Sequence, residues 1–344
     1  MSARIWIAAN QGEVGGGEVM LHHIATALRE LRRDVAVVAP AEPVETARRL
    51  EADGFVVERV GGPGRAGYMR ALRRWHRRRG EDVVWCNGLL PATALAGRPR
   101  RIVHLHQVPE KPQLRAFSAA ARPGALAVLA PSRFAAEPIP GARVLHNWVP
   151  EPSVSAEEHP RGAGEPLRVG FLGRLSEDKG ILTFLDAAAR LSARNPGRFA
   201  FRVAGEGRFV AEQEQRRVAA ALRSAGSDVA VLGWQDTSAF LTGVDVLAVP
   251  SQWAEVFGLV AAEAMAAGVP VVASHAGALP EVVGPDHPLT FAQADAAGLA
   301  AELERAAAAD LPALAAVQHA RWQELFSPAA GRAAVAALLD DLRI

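Results

Sequence analysis

The sequence predicts an α/β protein of two Rossmann-like domains, each a doubly wound parallel sheet covered by helices on both faces. Three observations carry that reading. Short apolar runs rich in Val, Ile and Leu alternate with helical patterns along most of the chain. The runs lack polar alternation, as strands buried on both faces require. A polar stretch rich in Pro, Gly and Glu, from Glu151 to Pro166, interrupts the pattern, which then restarts. At 344 residues the chain suits two domains better than one. The expected division is 1–150, a linker at 151–166, a second domain at 167–327 and a final helix at 328–344.

In chain order, Arg4–Asn10 is the first strand, Gln11–Gly17 a glycine-rich loop, and Glu18–Arg32 a helix with Val19, Leu21, Ile24, Leu28 and Leu31 apolar. Strands follow at Val35–Ala39, Phe55–Val60, Val83–Cys86, Ile102–His106, Leu126–Ala130 and Arg143–His146. In the second half, strands are expected at Leu167–Gly173, Phe199–Gly205, Val229–Gly233, Val244–Pro250, Pro270–Ser274 and Pro288–Phe291. Helices are expected at Ile181–Arg194 and Arg208–Ser224, and the alanine-rich tail from Ala294 reads as mostly helical. Two such halves place a site where their strand ends face a common cleft.

Composition excludes several classes. Half of the residues are hydrophobic, 22% are charged and the net charge is +1, so no global charge points to nucleic acid. The single cysteine, Cys86, excludes internal disulfides and cysteine-rich metal sites and fits a reducing compartment. The first strand begins at once, leaving no room for a signal peptide, and Glu263, Gly268 and Pro270 interrupt the longest apolar run. The expectation is a cytoplasmic protein. No HExxH, paired CxxC or DxD motif stands where it could hold a metal.

The densest chemistry lies in PSQWAEVFGLVAAEAMAAGVPVVAS, Pro250–Ser274. A helix is expected to begin near Phe257 and to end before Gly268, so that Phe257, Gly258 and Leu259 form its first turn. Their amides and the positive end of the helix dipole make an anion site, and Gly258 lets a ligand approach the backbone. Glu255 in the loop and Glu263 on the helix are separated by seven residues. Glu263 lies in an apolar run, where an unpaired carboxylate is expensive. A phosphate site flanked by two carboxylates suits a sugar linked to a nucleotide diphosphate. The blander reading makes Glu263 a cap or an internal partner and Glu255 a solvated loop charge.

Other motifs add to this segment. In GFLGRLSEDKGI, Arg174 follows a strand and Lys179 opens a helix after an Asp178 N-cap, two cations that can neutralise a diphosphate, or else two surface charges. AGEG, with Gly205 and Gly207, and LGWQD, with Gly233 and Trp234, should border a base and ribose; Trp234 either walls the base or is a partly buried aromatic. GEVGGGE offers the amides of Gly16 and Gly17 to a phosphate or sugar, but it is not GxGxxG, and no acidic residue follows the second strand to hold an NAD ribose. His106, at a strand end, can donate to a sugar hydroxyl, whereas His104 packs in the sheet. The helix Arg65–Arg79 carries seven arginines and no acid. It reads as a solvated face, or as a contact with an anionic membrane surface or acceptor.

As a set, GRLSEDKG, AGEG, the Glu255–Glu263 spacing, GALPE, GGGE, HLHQ, APSRFAAE and HNWVP resemble the retaining family-four glycosyltransferases of the GT-B superfamily. The resemblance spans nearly the whole chain. It implies that Arg174 and Lys179 bind the donor diphosphate, Glu263 the nucleotide ribose, and Glu255 with the Phe257–Leu259 amides the donor sugar. It assigns His106 to the sugar C6 hydroxyl and Gly16 and Gly17 to the phosphate or acceptor side. It further implies metal-independent transfer with retention, no cofactor beyond a UDP- or GDP-sugar donor, closure of the domains over the donor, and a last helix crossing back to the first domain. His106-Gln107 and Asn147-Trp148 depart from the family's usual His-Asp and Asn-Gly. A sugar-nucleotide epimerase and a non-catalytic sugar-nucleotide-binding protein are the competing readings; the acceptor, whether glycolipid, polysaccharide or natural product, is open.

Overall fold

The structure, a computed structural model, describes residues 4–62, 64–153, 162, 164–208 and 210–344. Most of the expected linker, residues 154–161 and 163, lies outside the described residues. Contacts divide the chain into two compact units, Met1–Trp148 with Pro328–Ile344, and Val149–Ser327.

The first unit runs β1 (Ile5–Ala9), α1 (Gly16–Glu30), β2 (Val35–Pro40), α2 (Glu45–Ala52), β3 (Val56–Val60), α3 (Gly64–His76), β4 (Val83–Asn87), α4 (Leu89–Ala94), β5 (Arg101–His104), α5 (Pro112–Ala121), β6 (Ala127–Ala130), α6 (Arg133–Ala136) and β7 (Arg143–Val144). Among the described residues its sheet has seven parallel strands in the order β3-β2-β1-β4-β5-β6-β7. Every residue of β1 and β4 is buried, which is why these strands read as unbroken apolar runs. Tyr68, Leu72 and Trp75 turn the apolar stripe of α3 onto the sheet, where Trp75 meets Trp6 edge to face at 5.0 Å. Two arginines of the basic stretch have inward partners: Arg79 pairs with Glu58 over the Trp6 and Trp75 rings, and Arg73 donates to the Ala94 carbonyl. Arg65, Arg70, Arg74, Arg77 and Arg78 are exposed.

The second unit runs β8 (Leu167–Leu172), α7 (Ile181–Arg194), β9 (Phe199–Ala204), α8 (Glu212–Ser224), β10 (Val229–Gly233), α9 (Thr237–Thr242), β11 (Val246–Val249), α10 (Leu259–Ala266), β12 (Val271–Ser274), α11 (Leu279–Val283), β13 (Thr290–Phe291), α12 (Ala296–Ala308) and α13 (Leu311–Leu325). Its six described strands are parallel, in the order β10-β9-β8-β11-β12-β13. One face is filled by Phe171, Phe184 and Phe201, with successive rings 5.6 and 5.8 Å apart. The other is filled by Phe257, Phe326 and Trp322 among small alanines. After α13 the chain enters α14 (Pro328–Leu342), which packs on α1 of the first unit, with Arg332 bonded to Glu30 at 2.6 Å. No helix among the described residues is long and apolar enough to cross a membrane.

The structure corrects several expected boundaries. Helix α1 begins at Gly16, so Gly16 and Gly17 belong to its first turn rather than to a loop. Helix α8 begins at Glu212, four residues later than expected from Arg208, because Ala211 is extended. Asp178 does not cap a helix: Glu177–Lys179 form a short tight turn, and α7 starts at Ile181 after Gly180. Gly180 has φ +77°, and a Cβ there would lie 1.8 Å from the Pro250 carbonyl oxygen. Only glycine lets the turn after β8 sit this close to the end of β11, and the Gln252 amide then reaches the Asp178 carbonyl at 2.8 Å.

Gly180→Ala is therefore expected to cost about 2–4 kcal/mol, combining left-handed strain with backbone overlap. Urea unfolding of the variant measures it; a loss below about 0.5 kcal/mol, the ordinary surface range, would contradict the packing described.

Candidate functional site

Each sheet reverses its strand order beside its first strand, between β1 and β4 and between β8 and β11. In such folds the crevice at the carboxyl ends of those strands is where ligands sit. In the second unit the loops leaving β8, β9 and β10 are laced together there. The Gly205 amide donates to the Gly233 carbonyl (2.8 Å), Gly173 to Ala204 (3.1 Å) and Leu175 to Glu206 (2.9 Å). Gly207 is held by Gln215, whose Nε2 donates to its carbonyl at 3.1 Å.

On this platform the two expected cations meet carboxylates. Lys179 Nζ forms a salt bridge with Glu255 Oε1. Ser251 Oγ donates to the same oxygen at 2.7 Å. Arg174 pairs with Asp178, and its Nε donates to Ser176 Oγ at 3.2 Å. The fold thus brings Lys179 and Glu255, 76 residues apart, into contact and keeps all four side chains only partly exposed. Ser251, Ser176 and Asp178 escaped the sequence reading as site residues because isolated Ser and Asp in a loop carry no periodic signal.

The helix carrying the second glutamate starts later than expected. Gly258 is the N-cap of α10 with φ +97° and ψ +63°, so Phe257 and Gly258 precede the helix and Leu259 opens it. The amides just after the cap, those of Leu259 and Val260, have no intrahelical acceptor, while those of Ala261 and Ala262 return to the Gly258 carbonyl at 3.0 and 3.3 Å. Phe257 anchors the turn, 1% exposed and edge to face with Phe326 at 5.2 Å. The Glu263 carboxylate has no hydrogen-bond or ion-pair partner among the described residues, so it neither caps nor pairs there. Trp234 is 67% exposed, which removes the expectation of a partly buried aromatic.

In the first unit the polar groups cluster at the ends of β4 and β5 and the start of α1. His106 lies two residues beyond β5 rather than on it. Asn87 Nδ2 donates to the Gly17 carbonyl at 2.8 Å, which turns its Oδ1 to His106 Nε2, also at 2.8 Å. Nε2 therefore carries the proton, and burial lowers the imidazole pKa to about 4, leaving the ring neutral at pH 7. The expected donation from His106 to a sugar hydroxyl is thus already spent on Asn87, and Nδ1 is enclosed without a partner. His104 is fully buried against this ring, with centroids 4.1 Å apart. Glu18, also missed, is 5% exposed and pushed up to about 7 by burial, with Oε2 accepting from Gln11 at 3.3 Å.

Comparison with known proteins bears on both units. A family model described as Glycosyltransferase Family 4 matches residues 14–146, and one described as Glycosyl transferases group 1 matches residues 166–309. A glycogen synthase of Mycobacterium tuberculosis is 36% identical over 141 residues, 40% of this chain and 33% of that protein. A 2-deoxystreptamine glucosyltransferase of Streptomyces kanamyceticus is 37% identical over 143 residues, 41% of this chain and 35% of that protein. The matched stretch thus spans about a third of these curated relatives. Among solved structures, Anabaena HepE in complex with UDP and glucose superposes with a TM-score of 0.79 at 21% identity, covering 98% of this chain and 99% of its own. A sucrose-phosphate synthase from Thermosynechococcus elongatus gives 0.81 at 22%, covering 99% of each. Both similarities establish the two-domain GT-B fold.

Glu263 makes the site pH-sensitive. Burial, reinforced by the negative charge of Asp236, raises its carboxyl from 4.5 to about 7. Between those values the native state holds a proton that the unfolded state has lost, so this contribution to stability falls as pH rises from about 4.5 through about 7. Glu263→Gln is expected to match the wild type near pH 5 and to exceed it by up to about 3 kcal/mol at pH 8. Denaturation curves at the two pH values test this; an equal difference at both would contradict it.

Proposed function

The chain belongs to the family-four glycosyltransferases of the GT-B class, and from that premise we propose that it moves a sugar from a nucleotide-diphosphate sugar to an acceptor hydroxyl. The observation that carries the proposal is the pairing of Lys179 with Glu255 beside Arg174, on loops ending in the N-terminus of α10. Two cations and free helix amides suit a diphosphate, and Glu263, without a partner, suits the two hydroxyls of a ribose. Glu255 suits hydroxyls of the sugar. Exposed Trp234, beyond Gly233, offers a face for the base.

UDP is the favoured nucleotide, since no described residue of the second unit visibly reads a guanine and HepE was crystallised with UDP and with UDP-glucose. In the reaction proposed, the bond from the anomeric carbon to the diphosphate oxygen breaks and the acceptor oxygen bonds that carbon from the same face. The acceptor proton passes to the departing phosphate, and Arg174 and Lys179 stabilise the charge left on the diphosphate. Configuration is retained, and neither a metal nor a further cofactor is required. The acceptor side is assigned to the first unit, at Gly16, Gly17 and the Asn87–His106 pair. The exposed arginines of α3 are a proposed contact for an anionic membrane surface or acceptor.

A thermal-shift screen against UDP, GDP, ADP and dTDP, with and without EDTA, tests the donor class. Saturation with one nucleotide at about 100 times its Kd should stabilise the protein by about 2.7 kcal/mol, with no effect of EDTA; no shift with any nucleotide would overturn the reading. Lys179→Ala should lower turnover of the donor, followed as slow release of free sugar, by about a hundredfold or more without unfolding the protein. Interconversion of sugar epimers in place of transfer or hydrolysis would favour the epimerase.

A further inference from the structure

Glu255 receives its two protein hydrogen bonds on one oxygen. Lys179 Nζ and Ser251 Oγ both converge on Oε1. Oε2 has no donor among the described residues and is not one of the enclosed atoms. A carboxylate oxygen has two in-plane lone pairs, so Oε1 is filled and Oε2 is open. Ser251 is well placed to hold this arrangement. It is 1% exposed, and its own carbonyl accepts from Ser274 Oγ at 2.7 Å, Ser274 being fully buried at the end of β12. The hydroxyl is thus carried on backbone fixed by two adjacent strand ends, whereas the Lys179 ammonium rides on a long flexible stem.

We propose that Ser251 is a positioning residue for the transferred sugar: it pins the Glu255 carboxylate through Oε1 so that Oε2 accepts a sugar hydroxyl. This rests on the donor-site reading above. A diphosphate draws Lys179 toward itself, and Ser251 is then the remaining protein donor that fixes the carboxylate about its broad terminal torsion. Recognition of the sugar, and not of the nucleotide, should depend on this hydroxyl. The same geometry makes the Glu255 contact directional, selecting a hydroxyl on the Oε2 side of the carboxylate.

Calorimetric titration of wild type, Ser251→Ala and Ser251→Thr with UDP and with UDP-glucose tests this. Ser251→Ala should bind UDP within about twofold of wild type, while the ratio of the UDP-glucose Kd to the UDP Kd rises by about tenfold, the loss expected for one hydrogen bond to a charged group. Ser251→Thr, which keeps the hydroxyl, should restore most of the ratio. An unchanged ratio in Ser251→Ala, or equal weakening of both ligands, overturns the inference, since a merely structural serine would affect nucleotide and nucleotide sugar alike. Failure of the wild type to bind UDP or any of the other three nucleotides would instead refute the donor-site reading.

Discussion

The constraint on which the second unit's site depends is the meeting of Lys179 and Glu255. A partly buried ammonium and a partly buried carboxylate are each costly alone, and removing either leaves the other uncompensated. To bring them together, the turn after β8 must sit directly on the end of β11, which is possible because Gly180 has no Cβ. The laced loops of Gly173, Gly205 and Gly233 extend the same layer across β9 and β10. The cluster is therefore a product of the strand order: β8 and β11 are neighbours although β9 and β10 intervene in sequence.

The pairings also describe a site whose charges are satisfied before any ligand arrives. Arg174 rests on Asp178 and Lys179 on Glu255, so under the function proposed above a diphosphate would compete with two carboxylates for two cations. Such competition would lower affinity for the bare nucleotide, while the ion pairs keep the cations oriented. Glu263 is the contrasting case, an unpartnered carboxylate held partly protonated near neutrality by its surroundings. Ribose hydroxyls donating to it would favour its ionised form, coupling nucleotide binding to proton release.

The fold was legible because strands buried on both faces leave unbroken apolar runs; β1, β4 and α7 lie within a residue or two of their expected bounds. The errors cluster where backbone conformation is decided by contact rather than by pattern. A glycine in the left-handed region moved the start of α10 from Phe257 to Leu259. Arg174, Lys179, Glu255 and Glu263 of the candidate site were legible as candidates from the spacing of the two glutamates and from two cations around a turn. Ser251, Asp178 and Asn87 were not, because single polar residues acquire a role only when another strand end is folded against them. The contact between His106 and Asn87 was not legible either, since the amide comes from a strand 19 residues away.

The most direct test of this account is the affinity of Glu255→Gln for UDP alone, measured by calorimetry beside the wild type. If Glu255 holds Lys179 in the free protein and releases it to the diphosphate, loss of the carboxylate charge should tighten UDP binding by about threefold to tenfold. The same variant should bind UDP-glucose no better than UDP. Weaker UDP binding in Glu255→Gln would contradict the account, because Glu255 would then be supporting the nucleotide instead of competing with it for Lys179.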